Sequence, residues 1–434
     1  CSSDLALMID YEYRYAQSDV AVTPPEDEAD YRDAYFNGTT WTEGLTTNVD
    51  TLNNTVSLSI TGSLGAYHFT AGYGFANPEV YYSRTSGDWH QVATWSTDPS
   101  GSPLASAPPA AVNPVVIQGG HTVTIDTSGT GGSYDFSAIS TSLESNSILD
   151  ITLADQSLYT VGTLDGEGTL RFSVSSTPAL PPLSGSFVSD GGGTVEFAYT
   201  ADGALPTDQL VYHHLILSGT RHYNLDAGIT VHGDLTISTS QGLEDDGFSF
   251  TGTSGGTFNL GSGAQLTVEG AHSFPAGFGT YHLPSSSTVR YDSDQAQMVA
   301  SLGSDSYWDL QCSGSGTKTL GGNIIIADDL TINSGAVLAA STYDIRIRGD
   351  WNRDGRSNSA FLPGTGTVFF DGSTAQEIDI THQSDAENFA HVVIQNPSGV
   401  SVDNATYEVS HLDISGNLTI TSGSLNLQNK ALTL

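Results

Sequence analysis

Positive charge is nearly missing from this chain. Against 48 aspartates and glutamates stand 12 lysines and arginines, a formal net charge of −36, and the only lysines are Lys318 and Lys430. Phosphate backbones and anionic lipid headgroups are held by Lys and Arg, so this surface predicts no nucleic-acid partner and no anionic membrane. It suits cation binding, or solubility in salty surroundings. Cysteine is scarce too. Cys1 and Cys312 are too few for a disulfide framework and fall in different expected domains, so no bridge between them is predicted. No apolar run approaches the ~20 residues that span a bilayer, and no secretory leader is visible, so a membrane span is not expected. Cys1 followed by two serines and Asp4 would suit a lipidated start, against which a strand-like run begins almost at once, at 5–13.

What is present is glycine (48 residues) with many serines and threonines, and only 14% charged residues. Apolar residues alternate in short runs and show no helical spacing, which predicts an all-β protein with many corners. In segment 321–372, alternating runs at 330–332, 344–347 and 367–370 are separated by Asn, Ser and Gly. Residues 1–75 have a different texture. They are rich in tyrosine, with strand-like runs at 5–13, 40–44, 54–60 and 65–72 and an acidic loop at 24–28, the pattern of a β-sandwich-like segment. Because the chain opens in mid-strand, we read it as the later part of something longer. Residues 76–114 are expected to be a linker and the entry into a parallel β-helix, which then occupies 115–434 as three long repeat units.

Three markers recur in order in each unit. A strand marker reads GTVEF at 193–197, STVRY at 287–291 and GTVFF at 366–370. An aromatic-led strand follows at 212–217, 307–311 and 389–394, and then an L-T-I strand at 233–237, 328–332 and 416–420. Successive L-T-I markers are 95 and 88 residues apart, too long for one coil, so each unit is expected to hold about four coils of a solenoid. Some fifteen coils at the ~4.8 Å strand spacing would make a rod of about 70 Å. Sequence 429–434 is still strand-like, and no end cap is recognisable. Either more chain or a partner is expected to cover that end.

The block YSRTSGDW at 82–89, followed by ATWS at 93–96 and VVIQGGHTVTID at 115–126, resembles large extracellular proteins of Bacteroidota. In that family the block opens a long parallel β-helix, often after a β-sandwich module, and WTEG at 41–44 with FTAGY at 69–73 is similar to the end of that module. The resemblance covers most of the chain and implies architecture more than activity, since the family includes adhesins, surface filaments and cargo of type 9 secretion. It also implies that His121 is a structural turn histidine.

The sharpest chemical motif is DWNRDGRSN at 350–358, which fits the D-x-N-x-D-G oxygen-ligand loop of calcium sites. Asp350, Asn352 and Asp354 would offer side-chain oxygens, Arg356 a backbone carbonyl and Asn358 a further ligand or water contact. The position where an EF-hand places its bidentate Glu is Phe361, and a polar corner without metal is the competing reading. Calcium is the only cofactor the motif suggests. Parallel β-helices also carry polysaccharide lyases and hydrolases, which need convergent carboxylates. Here Asp328–Asp329 and the acidic run 244–246 are sequence neighbours, and neighbours on a strand point to opposite faces. Arg346 and Arg348 face outward together, able to grip an acidic sugar or simply to be solvated. The twelve histidines show no metal-ligand spacing, and of the adjacent pair His213 and His214 at most one points inward. Trp41, Trp89, Trp95, Trp308 and Trp351 could stack on sugars or close the core at coil edges.

These readings converge on a non-catalytic structural protein: an extracellular, cell-surface adhesin or filament segment forming a stiff acidic rod. Its expected partners are other surface subunits, the remainder of a longer chain, or polysaccharide. A secreted carbohydrate-binding or carbohydrate-degrading β-helix is the alternative.

Overall fold

A computed structural model describes the strands of residues 8–73 and then residues 78–126, 136–153, 158–189, 191–220, 222–271, 274–353, 360–379, 386–402, 411–428 and 430–434. The chain divides into two units, Cys1–Glu79 and Val80–Leu434. The first holds two three-stranded antiparallel sheets. One pairs Met8–Arg14 with Thr55–Thr61 and that with Thr47–Asp50, and the other sets Tyr31–Phe36 between Trp41–Glu43 and His68–Tyr73. The described residues of the strand-like runs of 1–75 are thus in strands.

The second unit is a parallel β-solenoid of about 12 turns. It begins earlier than residue 115, because Tyr81–Ser83 and Gly87–Asp88 already pair in parallel with Pro114–Ile117 and Thr122–Ile125. Residues paired across one turn are 19 to 36 apart in sequence. The turns are fewer than the fifteen expected, since stretches such as 97–113 and the short helix Gly185–Val188 take up chain between rungs. At the usual strand spacing the stack rises roughly 55–60 Å.

Each rung is short because its side chains alternate in and out, and three to six residues suffice to cross one face of the coil. The strands Leu235–Ile237, Leu330–Ile332 and Ile345–Ile347 all show buried, half-buried, buried. Their inward residues stack on equivalents one turn away, each fully buried Val, Leu, Ile or Phe contributing about 1.5–3 kcal/mol. Corners need backbone that most residues avoid. Asn146, Ser240, Ser286 and Ser341 hold φ between 58° and 64°, in line with the Asn/Ser corner chemistry expected.

The three sequence markers turn out to be vertical neighbours. In the first sequence repeat Thr194–Tyr199, His214–Gly219 and Leu235–Ile237 are consecutive rungs of a nine-stranded sheet. In the second, Thr288–Asp292, Asp309–Ser313 and Leu330–Ile332 are consecutive in an eleven-stranded sheet. In the third, Thr367–Phe370, His391–Gln395 and Leu418–Ser422 are consecutive in a five-stranded sheet. The registers correspond: Val195 on Leu215 on Leu235, Val289 on Leu310 on Leu330, and Val368 on Val392 on Leu418. Each repeat is therefore a three-rung ladder, and successive ladders occupy different sheets. Spacings of 95 and 88 residues are not whole numbers of turns, which moves each copy off the face of the one before. Gly366 opens the third ladder because a Cβ there would lie 1.9 Å from the Tyr343 carbonyl oxygen of the turn beneath.

Candidate functional site

At the residue before a rung, the coil turns and its amide needs an acceptor. On the eleven-stranded sheet an aspartate of the previous turn supplies it to Asp329 and Asp350, and likewise to Glu377, the second residue of its strand. The N–H of Asp329 donates to Asp309 Oδ1 at 3.2 Å, that of Asp350 to Asp329 Oδ1 at 2.6 Å, and that of Glu377 to Asp350 Oδ1 at 2.7 Å. The first and third ladders put an imidazole in the same place: Asp234 N–H donates to His214 Nδ1 and Asn417 N–H to His391 Nδ1. Gly233 and Gly416 make room, since a Cβ at either would lie 2.7 Å or 2.4 Å from the ring below. The result on the eleven-stranded sheet is a column of carboxylates one coil apart. Burial, then the charges of Asp328 and Asp329, push Asp309 up to about 6, although the Asp329 N–H pulls the other way. Burial and the neighbours Asp328 and Asp350 raise Asp329 likewise. Asp328 points elsewhere and accepts from Trp308 Nε1 at 2.9 Å, so adjacent aspartates do diverge.

Asp350 and Asn352, the first two expected calcium ligands, lie on either side of the fully buried Trp351 and are both half-buried. Asp350 belongs to the carboxylate column, and Asn352 stands in register between Thr331 and Asp379. Asp354, Arg356 and Asn358 lie outside the described residues. The next inward position is an arginine. Arg353 Nη1 lies 2.7 Å from Glu387 Oε2, both side chains fully buried, and burial raises the Glu387 carboxyl above the usual carboxylate range against the pull of the guanidinium. This pair was not foreseen from the sequence, and its signal was parity: Trp351, Arg353, Glu387 and Phe389 all occupy inward positions of their strands.

The remaining candidates fall into place around these. Arg346 and Arg348 both reach Asp371 of the next turn, and Arg346 lies 4.7 Å over the Phe369 ring, so the two share one carboxylate. Trp89, Trp95 and Trp351 are fully buried and close the core; Trp308 is half-buried. His121 Nδ1 meets both the hydroxyl and the carbonyl of Ser83 one turn away, at 2.9 and 3.0 Å, a tie between coils. Neither His213 nor His214 enters the core. With His232 and Asp234 they line an open, polar recess of about 520 Å³. One further group was missed. Asp88, His90 and Asp126 place ligand-capable atoms all within 4.8 Å of one another. The usable signal was the i, i+2 spacing of Asp88 and His90 across an inward Trp89; the third member arrives only with the next coil.

No protein-family model matches the chain, and no curated protein and no solved structure matches it.

Proposed function

We propose that this chain is a segment of an extracellular, cell-surface structural protein, an adhesin or filament whose solenoid serves as a stiff acidic rod without turnover. The observation that carries the reading is the unbroken parallel ladder, eleven consecutive rungs in one sheet from Gly203–Ala204 to Leu425–Asn426, stacked on a continuous apolar core. Such a stack resists bending because every turn is hydrogen-bonded to its neighbours along its length. The resemblance of 82–126 to Bacteroidota surface proteins supports the same reading, as does the acidic surface, which favours solubility and keeps rods apart. In this proposal the antiparallel sheets of 1–75 form the sandwich module that accompanies the rod. The partners are neighbouring surface subunits, further chain, or polysaccharide.

The recess at His213, His214, His232 and Asp234 favours a second reading, a secreted carbohydrate-binding or carbohydrate-degrading β-helix, because polar concave sites on such rods fit sugar hydroxyls. Immunogold electron microscopy of source cells, with antibody to residues 115–434, separates the two. Label along projections or a surface coat is the expected outcome. Label confined to soluble material in the medium, with polysaccharide cleavage by the purified chain, overturns the structural reading.

A further inference from the structure

We infer that Asp88, His90 and Asp126 form a binding site for a divalent transition ion of the zinc class, which staples the first turn of the solenoid to the second. Such a site would be independent of the function proposed above.

The coil itself assembles the group. Gly87–Asp88 is the first rung of its sheet and pairs in parallel with Thr122–Ile125, Asp88 opposite Thr124. Trp89 and Ile125 point inward and are fully buried, Trp89 packing edge-on against Trp95 at 5.1 Å. Asp88 and His90 flank the one, and Asp126 follows the other, so all three are directed out of the core and all are half-buried. The Trp89 N–H donates to the Thr124 carbonyl at 2.8 Å, and Thr94 Oγ1 donates to the Asp88 carbonyl at 2.8 Å, which holds the first-turn pair against the second turn.

Within this frame the imidazole is the telling group. His90 Nδ1 is screened from solvent and has no hydrogen-bond partner among the described residues. The other nitrogen, Nε2, lies 2.9 Å from the side-chain amide of Gln91, and the ring stands edge-on to the buried Phe136 at 6.3 Å. With the Gln91 amide turned so that its oxygen meets Nε2, the proton would sit there and Nδ1 would keep a lone pair for a metal. The ligand-capable atoms of the imidazole and the two carboxylates converge within 4.8 Å, and a cation held among them would give the buried ring nitrogen a partner. One nitrogen and two oxygens are a donor set for zinc, with bonds of about 2.0–2.2 Å that would draw the atoms to about 3.3 Å apart and leave a fourth position for water. Two ligands come from one turn and the third from the next, so the ion would tie the two turns together.

The test uses the full chain, stripped with EDTA and desalted, with zinc chloride followed by calorimetry and cobalt chloride by visible absorption. Expected are one zinc per chain, cobalt bands showing nitrogen ligation, and a zinc-dependent rise in melting temperature. Binding should weaken at least tenfold, about 1.4 kcal/mol, in His90→Gln, Asp88→Asn and Asp126→Asn. The two Asp→Asn changes keep size and shape, so they carry the comparison if His90→Gln disturbs folding. Absence of zinc binding by the wild-type chain overturns the inference. So does binding unchanged in the Asp88 and Asp126 variants, which would place the ion at the His213, His214 and His232 recess or another surface site.

Discussion

Asp309 shows how a single side chain joins architecture to titration. Its Oδ1 must accept the Asp329 N–H for the coil to turn, yet it sits half-buried among Asp328 and Asp329. Burial first and those charges second raise it from 3.8 to about 6, so the folded chain binds this proton more tightly than the unfolded one. Its stabilising contribution is therefore fully present below pH 3.8 and lost as the pH rises through about 6. Asparagine keeps the acceptor and removes the charge. Asp309→Asn should leave the melting temperature unchanged near pH 4 and raise it relative to wild type at pH 8, by thermal melts followed by circular dichroism. Parallel pH profiles for the two proteins would refute the assignment. The D-W-N spacing was legible in the sequence, and it did place Asp350 and Asn352 on the same side of their strand. That Asp350 would serve a vertical column was hidden, because the column's other members lie a full coil away.

At the scale of one strand, alternation decides which residues matter, and residues 324–326 are the sharpest case. Three consecutive isoleucines carry no polar–apolar alternation, so the sequence is mute about their orientation. The structure buries Ile324 and Ile326 and leaves Ile325 half-buried on the outer side. Ile326→Ala should cost about 2–5 kcal/mol by opening a cavity between turns. Ile325→Ala should cost no more than about 1 kcal/mol. Urea denaturation of both variants tests this, and equal losses would mean that the rung is wrongly oriented. In a stack whose turns touch only their neighbours, the inner substitution should also uncouple the two flanks and broaden the transition.

Over the whole molecule the few cations are largely committed already, which leaves the acid excess uncompensated. Lys318 is fully buried, its ammonium donating to the Ser293 and Gly316 carbonyls, and Arg353 is buried against Glu387. Arg171 pairs with Asp150, and Arg290 with Asp292. Self-repulsion of the remaining carboxylates opposes the compact state and is screened over about 3 Å at 1 M salt against about 30 Å at 0.01 M. Raising sodium chloride from low to molar concentration should therefore lift the melting temperature by a few degrees. A flat or falling response would show that the carboxylates are already neutralised by pairing or bound cations.

Fold class was written in local terms. Alternation with period two, corner residues every few positions and recurrent GTV and L-T-I markers are properties of neighbouring residues, and they point to stacked short strands without knowledge of any contact. The three-rung ladders were legible as repeats for the same reason. Other features were settled by tertiary structure alone: the sheet each ladder occupies, the pairing of Arg353 with Glu387, and the meeting of Asp88 and His90 with Asp126. Each joins residues from different turns, and which residues meet depends on how many lie in the intervening corners. Coil length varies from 19 to 36 residues, so no fixed spacing in the sequence encodes those encounters. They are set by the packing of one turn on the next.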